Sequence, residues 1–174
     1  MNKNGSNLRR ITQDNSDATL QPKFYPDNKR VLFEREKNIY DVSQFHLPID
    51  SQMHLERISL SGNKLSQEVV KFGTFADFDA SFFPDGKEIV FCRNSGGTLD
   101  LYKVQLGAGR PTALIPARVG SGFCNPVVTY DGKSIYCLER YTPNLWKMNA
   151  DGTDLHEVAD SSLFSDPMHW KPKS

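Results

Sequence analysis

The stretch Phe82-Phe83-Pro84-Asp85-Gly86-Lys87-Glu88-Ile89-Val90-Phe91 constrains the fold more than any other, because the chain repeats it on both sides. It reads as strand, tight turn, strand. Pro84 presets the backbone for the first corner, Asp85 and Gly86 accept the conformations a turn demands, and the apolar flanks supply two paired strands. Upstream the unit recurs as Phe24-Tyr25-Pro26-Asp27-Asn28-Lys29-Arg30-Val31-Leu32-Phe33, where Asn28 replaces glycine as the other residue tolerant of positive φ. Downstream it is Val128-Thr129-Tyr130-Asp131-Gly132-Lys133-Ser134-Ile135-Tyr136-Cys137.

The repeat is longer than a hairpin. A short segment precedes each turn and begins with a small residue or proline: Pro22, Ala80, Pro126 and Pro167, spaced by 58, 46 and 41 residues. Periods of this size in strand-rich sequence indicate a propeller rather than a helical solenoid. A third strand follows, at 100–104 in the second repeat and 144–148 in the third, and an Asp-Gly turn leads to a fourth at 155–159. Four antiparallel strands make one blade. The sequence therefore predicts an all-β propeller of four-stranded antiparallel blades in one domain, 1–174, with blades near 20–70, 78–115 and 124–160. In the first repeat the third strand is 38–42 or 55–58, and we favour the second. Residues 43–54 then form an insertion, read first as a tolerated surface loop and second as a binding loop.

Both ends echo the repeat. Asn2-Lys3-Asn4-Gly5-Ser6-Asn7-Leu8-Arg9-Arg10-Ile11 matches Asn149-Ala150-Asp151-Gly152-Thr153-Asp154-Leu155-His156-Glu157-Val158. Residues 5–12 are thus expected to be an orphan outer strand, and 166–172 an orphan inner strand. Closed propellers use about four to eight blades, and unpaired strand edges invite another chain.

Formal net charge is zero, from 21 basic and 21 acidic residues, which argues against a nucleic-acid partner. No window is apolar enough to insert in a bilayer, and the first ten residues lack the apolar core of a signal peptide. As written the sequence predicts a cytoplasmic protein; with a leader trimmed away, the expectation becomes periplasmic or exported. Cys92, Cys124 and Cys137 have neither CxxC nor zinc-ligand spacing, so buried free thiols are expected.

Pro or a small residue, an aromatic, Pro-Asp-Gly-Lys, an apolar strand, a Leu-Tyr or Leu-Trp strand and an Asp-Gly turn together resemble the TolB-like β-propeller repeat. The match is best at 82–104 and 128–158 and weaker in the first repeat. The resemblance implies a binding platform for protein partners, and six blades if two copies join. Oligogalacturonate lyases and the propeller domains of prolyl-oligopeptidase-type peptidases carry related repeats, so a propeller portion of a larger enzyme is the alternative. Fold alone assigns no activity.

No GxSxG elbow, catalytic triad or metal-ligand spacing occurs, and His46, His54, His156 and His169 are scattered. No catalytic residue, metal or cofactor is assigned. Candidate binding residues lie where one blade hands over to the next. They are the carboxylates Asp14, Asp17, Asp77, Asp79 and Asp166, with Asp160, which can face a cation or basic partner or merely cap turns. Aromatics outside the repeat register join them: Phe45, Phe75, Phe78, Phe123 and Phe164. The remaining aromatics are expected to pack blade against blade. The expected partner is a protein or peptide, with self-association to a dimer.

Overall fold

The computed structural model describes residues 4–12, 18–36, 53–61, 65–70, 73, 75–107, 109–115, 122–140, 142 and 144–159. Twelve strands are found there, in three four-stranded antiparallel sheets whose spatial order is the chain order. Blade 1 comprises β1 (Ala18–Phe24), β2 (Arg30–Glu36), β3 (Met53–Ser59) and β4 (Gln67–Glu68). Blade 2 comprises β5 (Ala76–Phe82), β6 (Glu88–Ser95), β7 (Thr98–Gln105) and β8 (Thr112–Ala113). Blade 3 comprises β9 (Phe123–Val128), β10 (Ser134–Glu139), β11 (Leu145–Asn149) and β12 (His156–Ala159). The architecture is that of a partial β-propeller. The favoured third strand of the first repeat, 55–58, lies within β3, and the competing 38–42 falls outside the described residues. Among the described residues no helix is long and apolar enough to cross a membrane.

The repeated turn is one structure made three times. Asn28, Gly86 and Gly132 have φ of 55°, 67° and 71°. Their amides donate to the carbonyls of Tyr25, Phe83 and Thr129, each at 2.9 Å. Asp27, Asp85 and Asp131 each accept from the amide two residues on, at 2.9, 2.9 and 3.0 Å, the local bond that makes aspartate a turn former. Successive turns also stack. A Cβ on Gly86 would meet the ring of Pro26 at 3.2 Å, and one on Gly132 would meet Pro84 at 3.1 Å.

Each inner strand carries a β-bulge at one equivalent place. Pairing slips between Leu20 and Lys23 in β1 and between Phe78 and Ser81 in β5, and opposite Tyr136 and Leu138 in β9. The bulged residues Gln21, Asp79 and Asn125 have φ of 45°, 52° and 52°. A proline at 22 and 126 follows at no cost, since a bulge already interrupts the ladder that a missing N–H would break.

Blades pack through alternate residues of their strands. Leu32, Leu55 and Tyr25 of blade 1 bury against Ile89, Phe91 and Val104 of blade 2. On the opposite side of blade 2, Phe83, Val90, Cys92 and Leu101 meet Phe123, Ile135, Cys137 and Met148 of blade 3. Each buried large side chain contributes roughly 1.5–3 kcal/mol. The expected packing of repeat aromatics holds for Phe82, whose ring lies 4.5 Å from that of Tyr25 in the preceding blade. Its counterpart Phe24 is instead 62% exposed, because no described blade precedes blade 1.

Residues 5–12, expected to be an outer strand, form no strand. An outer strand needs the third strand of its own blade, and the described residues offer none to this segment. Its turn is nevertheless formed. Gly5 and Asn7 have φ of 83° and 57°, against 87° and 57° for Gly152 and Asp154 between β11 and β12. Asn4 Oδ1 accepts from Ser6 N at 3.1 Å and Ser6 Oγ at 2.7 Å. Asp151 Oδ1 accepts from Thr153 N at 3.0 Å and Thr153 Oγ1 at 2.7 Å. The inner strand expected at 166–172 lies outside the described residues.

Candidate functional site

A carboxylate stands at one apolar slot of the repeat and organises the junction of blades 1 and 2. Register places Glu34 opposite Leu55, Cys92 opposite Leu101 and Leu138 opposite Leu145, so the three share one position. In blade 2 that slot holds a thiol, whose Sγ donates to the Phe123 carbonyl on β9 at 3.3 Å. In blade 1 Glu34 Oε1 accepts from the Asp79 backbone N–H at 2.6 Å. Asp79 Oδ1 in turn accepts from Gln21 Nε2 at 2.7 Å, and Lys23 Nζ donates to the Ala80 carbonyl at 2.5 Å. Four side chains from β1, β2 and β5 thus clasp two blades at their bulges. Burial pushes the Glu34 carboxyl up to about 7, the Asp79 carboxylate adds to the rise, and the Asp79 amide and Lys23 oppose it. Glu34 therefore titrates near neutrality inside a closed hydrogen-bond network.

Next to this clasp, Arg93 on β6 grips Asp77 on β5, with Nε to Oδ1 at 2.7 Å and Nη2 to Oδ2 at 2.8 Å. Both residues are buried, at 4% exposure each. Desolvation raises the Asp77 carboxyl and the guanidinium opposes it. The same slot in blade 1 holds Arg35, whose Nε donates to Glu56 Oε2 at 2.8 Å. The enclosed bidentate Arg93–Asp77 pair fixes strand register and leaves neither of its charges open to a ligand. Arg93 also lies 4.9 Å from the ring centre of Phe75.

Of the residues expected to bind, the structure gathers Phe75, Asp77, Phe78 and Asp79 on or beside β5 and places Phe123 on β9. Asp77 and Asp79 are both occupied by intramolecular bonds. Phe78 and Phe123 are core residues, 8% and 7% exposed, and Phe123 stacks edge-on with Trp146 at 5.6 Å. Phe75 reaches the surface at 38%. Asp14, Asp17, Phe45, Asp160, Phe164 and Asp166 lie outside the described residues. Glu34, Gln21 and Lys23 went unremarked in the sequence. The usable signal was Glu34 itself, a charge in a strand position where the other repeats carry Cys92 and Leu138.

Burial raises all three thiols, Cys137 to about 12, so none is a ready thiolate. No three His, Cys, Asp or Glu side chains among the described residues gather as metal ligands. Several apolar side chains of blade 3 remain exposed. Along β10, Ile135 and Cys137 face blade 2, while Leu138 points away and is 36% exposed, with Val127 at 59% and Val158 at 49%. Beside blade 1 a cleft of about 380 Å³ is lined by Arg9, Ile11, Pro22, Lys23, Phe24, Val31 and Leu60.

No family profile matches the sequence, and no curated protein is similar to it at a significant level. Solved structures are similar in fold. TolB from Acinetobacter baumannii has a TM-score of 0.62 at 19% identity, over 86% of this chain and 34% of that one. An oligogalacturonate lyase in complex with manganese has a TM-score of 0.62 at 15% identity, over 86% and 42%. A putative TolB from Agrobacterium tumefaciens gives 0.56 at 17%, over 88% and 65%. The fold is thus a TolB-like β-propeller, and the chain spans between a third and two thirds of the length of these structures.

Proposed function

We propose that this partial TolB-like β-propeller is a non-catalytic protein-interaction module that joins a second copy of itself through the outer faces of blades 1 and 3. The observation that carries this reading is the apolar far face of blade 3. Tyr136, Leu138 and Leu145 occupy the positions at which Val90, Cys92 and Leu101 bury against blade 3. The complementary positions, Val31, Phe33 and Ile58 of blade 1, correspond to Ile89, Phe91 and Val104, which receive blade 1. The two faces are the unmatched halves of one interface, a head-to-tail contact. Solution mass by light scattering across a concentration series tests it. A dimer supports the reading, and a monomer up to high micromolar concentration removes it.

A second reading, the propeller portion of a larger enzyme, draws on the partial span of the oligogalacturonate lyase and on a prolyl endopeptidase similar over only 23% of its length. Pectic-fragment cleavage that is lost on chelation would favour it. Of the two compartments set out from the sequence, the resemblance to TolB favours the exported one.

A further inference from the structure

Residues 4–12 repeat the geometry of a blade's outer edge without having a blade. At each junction in the structure, a side chain just past an outer strand packs on the same core as the residue that follows the next blade's third strand. Val69 and Leu106 both pack on the core between blades 1 and 2, and Leu114 and Ala150 both pack on that between blades 2 and 3. Leu60, Leu106 and Ala150 are equivalent, each donating its amide to the lysine carbonyl of its own Asp-containing turn, Lys29, Lys87 and Lys133, at 2.9, 2.8 and 3.0 Å. Ile11 and Leu60 likewise both pack on Val31, Phe33 and Ile58, and Arg9 Nη2 donates to the Leu60 carbonyl at 3.2 Å. Blade 1 therefore holds Ile11 as blades 2 and 3 hold Val69 and Leu114. Within the segment Leu8 is 80% exposed, whereas its counterpart Leu155 packs on the core of blades 2 and 3.

Within this chain, the acceptor that fits a segment with this turn and this sequence is β11. Its Leu145, Trp146 and Lys147 pair with Ala159, Glu157 and His156, the counterparts of Thr12, Arg10 and Arg9. We infer that residues 4–12 of one copy serve as the outer strand of blade 3 in a second copy, displacing residues 151–159 from that place. This rests on the self-association proposed above and specifies its contact. The exchange seats blade 3 of one copy beside Ile11 and Leu60 on the outer side of blade 1 of the other and buries Leu8 where Leu155 stood. It also resolves a conflict in simple face-to-face docking, in which 4–12 and 151–159 claim the same edge.

The test mixes two single variants in a Cys124→Ser background, Thr12→Cys on the plain chain and Leu145→Cys on a chain enlarged by an affinity tag. Expected is a disulfide-linked heterodimer of intermediate mass on non-reducing electrophoresis, abolished by reductant and absent when Thr12→Cys is mixed with the tagged chain lacking Leu145→Cys. Light scattering runs alongside on the unsubstituted protein. A dimer in which the two introduced thiols do not cross-link overturns the exchange and leaves self-association standing; a monomer overturns both. Leu8→Asp gives a second readout should Leu145→Cys fold poorly. It raises the dimer dissociation constant at least tenfold with an unchanged monomer melting temperature, and unaltered dimerisation counts against the exchange.

Discussion

β6 and β10 come from the same repeat, yet one is buried on both faces and the other on one. In β6, Ile89, Val90, Phe91 and Cys92 are all 0% exposed. In β10, Ile135 and Cys137 are at 0% and 1%, whereas Leu138 is at 36% and Tyr136 is half-buried. An antiparallel strand with one wet face ordinarily alternates apolar with polar residues. β10 does not: Ile135-Tyr136-Cys137-Leu138 is apolar throughout, a pattern suited to a strand enclosed on both sides. The difference lies in the neighbours and not in the strand. β2 makes the same point from the other end, since Val31 and Phe33, facing away from blade 2, are 5% and 1% exposed with Ile11 and Leu60 packed on them.

The largest expected effect breaks the comparison at its centre. Phe91→Ala in β6 removes a ring wedged between blades and should cost about 3–5 kcal/mol, read as a fall in the denaturant midpoint; a cost comparable to that of an exposed strand residue would show that blades 1 and 2 are not packed as described. Glu34 comes next. Its carboxyl is raised from 4.5 to about 7, so between those values the folded chain holds a proton that the unfolded chain releases. The stability it contributes is present in full below pH 4.5 and is lost as pH rises through 7, at most about 3 kcal/mol from roughly 1.36 kcal/mol per unit. Glu34→Gln keeps an acceptor for the Asp79 amide and should flatten this part of the stability–pH curve, whereas Cys92→Ser, at the same slot one blade on, should leave its slope unchanged.

Smaller effects sharpen the contrast. Gly132→Ala puts a Cβ at positive φ and against Pro84, and should cost about 1–2 kcal/mol by thermal melting, with Asn28→Gly within a few tenths of zero. Leu138→Ser should change monomer stability by less than about 0.5 kcal/mol, while weakening self-association severalfold in sedimentation; a large loss of monomer stability would mean that the far face of blade 3 is already covered within the chain.

Much of the fold could be read from the sequence, because turn chemistry and strand periodicity are local. An aspartate, a glycine or asparagine, and a lysine mark the first hairpin of each blade, and Asp151-Gly152 marks the last hairpin of blade 3. The bulges at Gln21, Asp79 and Asn125 were not legible, since positive φ at a non-glycine is imposed by the strands around it. The candidate site was half legible. Aspartates near β5 stand out in the sequence, but whether a carboxylate serves a ligand or an arginine depends on the register that sets its neighbour across the hairpin, as Arg93 is set opposite Asp77. Phe78 and Phe123 left the repeat register of the second hairpin strand, yet the inner strand has a core face of its own and they lie on it. Residues 4–12 carry a correct turn and no strand, because a ladder needs a partner that a local pattern cannot supply.

The stacked turns set a rule for how such a molecule can grow. Gly86 rests on Pro26 and Gly132 on Pro84, so each turn must bring a glycine and offer a proline to the next. The turn of blade 2 does both. That of blade 1 brings Asn28, and that of blade 3 offers Tyr130, which is 99% exposed. A tandem duplication of blade 2 would therefore slot in with every glycine above a proline. A duplication of blade 1 would press an asparagine Cβ onto Pro26, and one of blade 3 would stand Gly132 over a tyrosine. Of these three units, the middle one is the copyable part of the gene.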